Sequence, residues 1–220
     1  MQRSLPALAK NTARKFLGHG QLIRSGNLNR NQTILPPCDV FINHRGIDTK
    51  RTVAGLLYHH LSWLGMRPFL DSKNMKPGDN LFDKIDTAIR SCKIGVAVFS
   101  PRYCESHFCL HELALLMESK KRVIPIFCNV KPSQLNVVDN GTCSGSELRR
   151  FRWALQEAKF TVGLTFDSCT GDWSEFLQTA YDAVMENWIE VEGENPNNYD
   201  INNVDMHNIP FQHPKNQKGY

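Results

Sequence analysis

The sequence predicts an α/β domain with a flavodoxin-like five-stranded parallel sheet, in the strand order 2-1-3-4-5, and helices on both faces. Short β-rich runs alternate with helical periodicity, and this alternation is typical of parallel sheets. One run, at 94–99, is apolar throughout, as expected of a central strand buried on both faces. Five such β/α units in about 150 residues suit the flavodoxin-like order.

The elements of the first half are marked by periodicity and by stop signals. They are a strand at 39–43, a helix from about 49 to 64, a strand at 67–70, a polar loop at 71–80 and a helix at 81–91. Asp48 or Thr49 is the expected cap of the first helix, and Gly65 ends it. Apolar spacing predicts that its inward face comprises Val53, Leu56, Leu57, His60, Leu61 and Leu64.

The second half continues the alternation. Its elements are the strand at 94–99, a helix from about 109 to 119, a strand at 122–127, a long loop at 128–145, a helix from 146 to about 159, a strand at 161–166 and a helix from 173 to about 188. Asp172 is the expected cap of the last helix. We therefore expect the folded domain to span residues 37–190.

The two ends differ from this domain in composition. Residues 1–36 hold six basic and no acidic residues, which predicts a disordered arm, with an organelle transit peptide as the alternative. Residues 191–220 are rich in Asn, Pro, His and Gly and predict a disordered tail. The formal net charge of +4 comes from the arm, because the other residues include 20 basic and 22 acidic ones.

Composition also excludes several classes of protein. The near-neutral body argues against a dedicated nucleic-acid-binding domain. No apolar run approaches the ~18 residues of a membrane-spanning helix. The seven cysteines form no CxxC pair, which favours free thiols in a reducing compartment. The GxGxxG and GxxxxGK[ST] phosphate motifs are absent, and so are the acidic pair of a receiver domain and the Ser/Thr-rich phosphate loop of a flavin-binding protein.

The predicted topology brings two loops to one edge of the sheet. The loops after strands one and three, at 44–48 and 106–108, lie near the switch point, where ligands bind in such folds. Glu112, about three residues into its helix, belongs to the same edge. Free amides and the helix dipole favour an ionised carboxylate there, which could stabilise an oxocarbenium-like transition state. The alternative is a structural role, because a glutamate in a first helical turn is favourable in any helix.

The neighbouring candidates also have two interpretations each. Phe108 could stack on a nucleobase or nicotinamide ring, or staple the helix start. Ser106 could bind a ribose or cap the helix. Arg45 and Lys50 could bind phosphates, or Arg45 could form a surface ion pair with Asp48.

A metal site is not expected at this edge. Four potential zinc ligands are clustered there, but their spacing matches no standard pattern. They are Cys104, His107, Cys109 and His111.

Four motifs then resemble those of plant Toll/interleukin-1 receptor (TIR) domains. The run DVFINHRGIDT at 39–49 resembles DVFLSFRGEDT, and CLHEL at 109–113 resembles CLxEL. VIPIF at 123–127 with VKPS at 130–133 resembles VIPIFYDVDPS, and KPGD at 76–79 stands at the BB loop. The chain is similar to a stand-alone member of that family.

The resemblance implies an enzyme that cleaves the nicotinamide–ribose bond of NAD+, as substrate and without a further cofactor, in plant immune signalling. Glu112 falls on the family's catalytic glutamate. The substrate-binding positions implied are Arg45, Gly46, Lys50, Ser106, Phe108 and Cys109. A non-catalytic scaffold that recruits other TIR domains is the alternative.

The resemblance also implies self-association, since a neighbour's BB loop completes each site in the family. The BB-loop residues are Lys76, Pro77, Gly78 and Asp79. The expected partners are further TIR domains, including those of immune receptors. The expected location of the chain is the cytoplasm and also the nucleus.

The chain departs from the family pattern at several positions. His44 replaces Phe, Ile47 an acidic residue, Lys50 an Arg and Phe108 a Trp. Gly55-Leu56 stands at a Ser-His pair that many plant members use for self-association, so that interface is in doubt here.

Overall fold

Five parallel strands form one sheet in the predicted order, β2-β1-β3-β4-β5. The computed structural model describes residues 38–139, 141 and 143–194, so the predicted arm at 1–36 lies outside the described residues. The strands are β1 (Val40–His44), β2 (Pro68–Phe69), β3 (Ile94–Phe99), β4 (Arg122–Cys128) and β5 (Leu164–Phe166). Since β2 and β3 flank β1 on opposite sides, the carboxyl ends of β1 and β3 border the switch-point crevice.

The helices cover both faces of this sheet. They are α1 (Gly46–Thr49), α2 (Val53–Trp63), α3 (Asp71–Asn74), α4 (Leu81–Ser91), α5 (His107–Glu118), α6 (Gly145–Phe160) and α7 (Trp173–Gly193), with 3-10 turns at Tyr103–Glu105 and Pro132–Gln134. Helices α4, α5 and α6 pack on one face, and α2 and α7 pack on the other.

Alternation along the strands divides the core into two layers. Phe41 of β1 faces the layer of α4 to α6, whereas Val40 and Ile42 face the layer of α2 and α7. All six residues of β3 are buried, as the apolar run predicts for a strand covered on both faces. The sheet, packed on both faces, therefore supports the loops at its carboxyl edge.

The predicted first helix is wrong in its start and its cap. The chain forms two helices, α1 and α2, separated by a turn at 50–52. Asp48 does not cap either one, because its carboxylate accepts hydrogen bonds from Ser100 Oγ at 2.7 Å and from the Arg102 side chain at 2.8 Å. Leu56, predicted to face inward, is 42% exposed.

Tertiary contacts also move other boundaries. The predicted polar loop at 71–80 contains the short helix α3, and β2 and β5 are shorter than predicted. Helix α7 continues past residue 190 to Gly193, and ion pairs hold its end: Lys93 with Glu192, and Arg122 with both Glu190 and Glu194. Beyond residue 194, the predicted tail lies outside the described residues.

Two predictions from composition can be compared with the fold. Cys38, Cys92, Cys109 and Cys128 are buried thiols. Among the described helices, none combines the length and the apolarity that a bilayer crossing requires.

Candidate active site

A cleft of about 780 Å³ opens at the carboxyl end of β1, where the topology places a ligand site. Its volume is within the range of small-molecule sites. It is lined by His44, Arg45, Gly46, Ile47, Asp48, Lys50, Arg51, Thr52, Asp71, Leu81, Ile85, Ser106, Phe108, Cys109 and Glu112. All seven predicted catalytic and substrate-binding residues are among them.

Glu112 enters the cleft from α5 and is half-buried. Since α5 begins at His107, the residue lies beyond the first helical turn, so the predicted help from free amides is absent. Asn43 Nδ2 donates a hydrogen bond to Glu112 Oε2 over 2.7 Å.

The surroundings of Glu112 favour its protonated form. Burial raises the pKa of Glu112 to about 8, and the Asn43 hydrogen bond opposes that rise. The carboxylates of Asp71 and Asp86 raise the pKa further by charge repulsion. The expected ionised carboxylate is therefore disfavoured, and the cause is loss of hydration rather than the helix dipole.

The start of α5 is tied to the end of β1 by short polar contacts. Ser106 Oγ accepts a hydrogen bond from Cys109 N at 3.3 Å, so the capping interpretation of Ser106 is confirmed. The Cys109 thiol donates to the His44 carbonyl oxygen at 3.2 Å. Burial raises the pKa of Cys109 to about 12, so this side chain is a neutral thiol and a clamp between two elements.

One side of the cleft is cationic. Arg45 is half-buried, and its Nε atom is buried without a hydrogen-bond partner among the described residues. The alternative ion pair with Asp48 does not form, because that carboxylate pairs with Arg102. A buried guanidinium donor without a partner is rare, and an anionic ligand would satisfy it. Lys50 is exposed at the rim, beside the open backbone of Gly46.

An aromatic pair lies at the mouth of the cleft. Phe108 is 47% exposed, and its ring centroid is 5.6 Å from that of Phe82 in α4. Phe108 lies inside the first turn of α5, whereas a hydrophobic staple requires a residue that precedes the helix, so the staple interpretation is wrong. An exposed ring held beside a second ring is suited to stacking on a planar ligand.

The predicted BB loop is not part of the lining of its own cleft. Lys76, Pro77, Gly78 and Asp79 form a turn in which Asp79 Oδ2 accepts a hydrogen bond from Lys76 N at 3.0 Å. Gly78 has a φ of +96°, which glycine adopts without strain. None of these four residues lines the cleft described above.

Sequence reasoning missed four residues of the site: Asn43, His44, Asp71 and Tyr103. His44 is buried, and its Nε2 lies 3.9 Å from Asp71 Oδ1 without a hydrogen bond in the described part of the chain. Burial lowers the pKa of this histidine. Asn43 could have been found as the one amide in a strand that is otherwise apolar from residue 40 to 42. Tyr103 carried no such signal, because only the fold brings it beneath the cleft.

The four potential zinc ligands do not come together. In the described part of the chain no group of three or more His, Cys, Asp or Glu side chains could hold a metal ion. His107 instead approaches Glu147 at 3.4 Å, and His111 Nδ1 lies 3.1 Å from Arg150.

Comparison with known proteins places these features in a family. Residues 40–144 match the family model described as TIR domain. The chain is 54% identical over 158 residues to the probable 2′ cyclic ADP-D-ribose synthase BdTIR of Brachypodium distachyon, and the match covers 70% of each chain. It is 39% identical over 101 residues to TMV resistance protein N of Nicotiana glutinosa, covering 44% of this chain but 9% of that protein.

A solved structure agrees with the sheet topology. The TIR domains of the activated Roq1 resistosome, which directly recognizes the pathogen effector XopQ, align with a TM-score of 0.58 at 29% identity. The alignment covers 67% of this chain and 99% of that one. With a close relative matched over most of its length and a matching fold, the chain belongs to the Toll/interleukin-1 receptor (TIR) domain family.

Proposed function

We propose that the chain is an NAD+ nucleosidase of plant immune signalling that releases nicotinamide and forms ADP-ribose or a cyclic isomer of it. The observation that carries the proposal is a single cleft that holds the Glu112 carboxyl, the exposed Phe108 ring and an Arg45 guanidinium whose Nε has no hydrogen-bond partner among the described residues. The naming of a 54% identical relative as a probable cyclic ADP-ribose synthase supports it.

The chemistry follows from the charge that develops on the ribose. The bond between ribose C1′ and the pyridinium nitrogen breaks with both electrons going to nitrogen, so nicotinamide leaves as a neutral base. The ribosyl group becomes cationic, and the Glu112 carboxylate stabilises it. Water then attacks C1′ and loses a proton to give ADP-ribose, or a nucleophile of the same molecule attacks to give a cyclic product.

The cationic substrate also explains how a carboxyl with a raised pKa becomes charged. Before substrate binds, Glu112 favours its protonated form because burial and two nearby carboxylates oppose ionisation. A positively charged nicotinamide ring beside it favours the ionised form and lowers its pKa. Substrate binding therefore generates the carboxylate that the reaction needs.

The other cleft residues bind the remaining parts of NAD+. Arg45 donates to the diphosphate through the buried guanidinium edge that has no partner in the described structure. Lys50, exposed at the rim, adds positive charge. Phe108 stacks on a planar ring, with Phe82 behind it.

We further propose that self-association completes the site. The 76–79 turn is exposed apart from the half-buried Asp79 and does not line its own cleft, so it is available to a neighbouring copy. The relative in the Roq1 resistosome is described as an activated assembly. The Gly55-Leu56 position differs from the family pattern. A Cβ atom at Gly55 would lie 2.5 Å from the Lys50 carbonyl oxygen, so the family's serine would require the backbone to shift here.

The test is turnover of NAD+ by the purified chain, followed by mass spectrometry of the products. We expect nicotinamide and an ADP-ribose isomer from the wild type, and no turnover above background from Glu112→Ala. Glu118→Ala is the matched control, because Glu118 lies on the same helix but pairs with Arg150 outside the cleft. Equal turnover by the wild type and Glu112→Ala would contradict the assignment.

A non-catalytic scaffold is the second candidate, and the exposed 76–79 turn is the observation that favours it. A plant cell-death assay separates the two. Signalling that survives Glu112→Ala but is lost in Gly78→Val would identify a scaffold. Valine at position 78 would strain the backbone, since φ there is +96°.

A further inference from the structure

We propose that Asn43 is a positioning residue that holds the Glu112 carboxyl in its reactive orientation, and that Tyr103 in turn holds the Asn43 amide. This inference rests on the proposed nucleosidase function. It extends the site below the cleft, to two side chains that do not line it.

Asn43 is placed by the centre of the sheet. It lies in β1, pairs with Ala97 of β3, and is 0% exposed. Its Nδ2 atom donates to Glu112 Oε2 at 2.7 Å and to the Cys109 carbonyl oxygen at 3.2 Å. Because Asn43 is fully buried on a strand paired with β3 and its amide makes two hydrogen bonds, the Nδ2 atom anchors the carboxyl.

The orientation of the amide is determined by its partners. A carbonyl oxygen can only accept, so the atom facing Cys109 O has to be the nitrogen. The opposite atom, Asn43 Oδ1, accepts a hydrogen bond from the hydroxyl of Tyr103, which is 0% exposed. A rotated amide would place its oxygen against two acceptors, the Cys109 carbonyl and the Glu112 carboxylate. Tyr103 and Cys109 therefore favour the same orientation.

This arrangement gives Glu112 a defined geometry and a defined charge preference. One carboxyl oxygen is held by Asn43, which leaves the other for the ligand side of the residue. Of the influences acting on this carboxyl, the Asn43 hydrogen bond favours ionisation, while burial, Asp71 and Asp86 oppose it. Loss of Asn43 would therefore both release the carboxyl and raise its pKa.

The experiment titrates Glu112 directly. Protein labelled with ¹³C at the glutamate carboxyl carbon is followed by NMR against pH, and Glu112→Gln assigns the signal. The variants are Asn43→Leu, which keeps the volume without the donor, and Tyr103→Phe, which removes only the hydroxyl. NAD+ turnover is measured on the same samples, and thermal melting verifies that they are folded.

We expect the titration midpoint of Glu112 to rise by about one pH unit or more in Asn43→Leu, since hydrogen bonds to charged groups are the stronger ones. We also expect kcat to fall about tenfold or more with KM little changed, because Asn43 does not line the cleft. In Tyr103→Phe we expect the same two effects at smaller size: a higher Glu112 midpoint and a lower kcat. Asn187→Leu is the matched control, since its amide donates to the Ala183 carbonyl oxygen within α7 at 2.8 Å, and it leaves the midpoint unchanged.

The outcomes separate this inference from the proposed function. An unchanged Glu112 midpoint in folded Asn43→Leu and Tyr103→Phe overturns the inference. If Asn43→Leu does not fold, Tyr103→Phe decides on the same criterion. If the midpoint shifts in the variants but the wild-type protein does not cleave NAD+, the proposed function is overturned and the Asn43–Glu112 coupling is supported.

Discussion

Replacement of Glu112 by glutamine should make the protein more stable, and increasingly so as pH rises. The change keeps the shape of the side chain and an oxygen that accepts from Asn43, but removes the ionisable group. In the folded chain the pKa of Glu112 is raised from 4.5 to about 8, mainly by burial. The protein therefore carries an energetic cost for this carboxyl wherever an unfolded chain would be ionised.

The sign follows from proton binding. Well below pH 4.5 the group is protonated in both states, so it costs nothing. Between about pH 4.5 and 8 the folded chain keeps the proton that the unfolded chain loses, so wild-type stability falls as pH rises. Above about pH 8 both states are ionised and the cost is constant.

The magnitude can be bounded. A tenfold change in proton affinity is about 1.4 kcal/mol, so the full displacement corresponds to at most about 5 kcal/mol above pH 8 and about 3 kcal/mol at pH 7. Water in the cleft moderates this cost, because Glu112 is half-buried rather than enclosed. We expect Glu112→Gln to gain about 2 kcal/mol at pH 7 and about 3 kcal/mol at pH 9.

Urea unfolding followed by circular dichroism, near pH 5, 7 and 9, measures the effect. Glu118→Gln is the control, because the pKa of Glu118 is shifted in the opposite direction. The Arg150 hydrogen bond lowers the pKa of Glu118, so its stabilising contribution is present above the unfolded pKa and is lost as pH falls through the folded pKa. That variant should gain nothing at pH 7. A Glu112→Gln stability difference that is the same near pH 5 and pH 9 would refute the reasoning.

Two further predictions concern the loops that shape the cleft. Asp48→Ala should lower the free energy of unfolding at pH 7 by about 1–3 kcal/mol, because it leaves the buried Ser100 hydroxyl without the acceptor it has at 2.7 Å. Urea unfolding measures this, and a loss below about 0.5 kcal/mol would contradict it. Phe108→Trp should lower KM for NAD+ and Phe108→Ser should raise it, because the exposed ring at the cleft mouth offers stacking area. Steady-state kinetics test this, and equal KM values in both variants would exclude a stacking role.

Much of the fold could be predicted from local sequence patterns. Strand β3 was predictable at its observed bounds because an apolar run between turn signals has few alternatives. Helix α4 has its predicted bounds, 81–91, because its buried residues Ile85, Ala88 and Ile89 recur at helical spacing. The strand order followed from the regular alternation of strands and helices.

The sequence alone also determined the edge of the sheet at which the candidate site lies. Parallel strands carry their carboxyl ends to one edge, so Arg45 and Phe108 had to approach each other once the strand order was known. The family motifs predicted Glu112, among the glutamates of the chain, as the catalytic residue. These conclusions depend on local pattern and on topology, which are both encoded along the chain.

Only the tertiary structure decided the state of that site. The pKa of Glu112 depends on how much water surrounds it and on Asn43, Asp71 and Asp86, which are distant in sequence. Asp48 pairs with Arg102 rather than with Arg45, and this choice of partner also depends on residues that are distant in sequence. Hydration and charge pairing act through space, so residues that spacing alone could not relate determine whether the carboxyl in the cleft carries a proton.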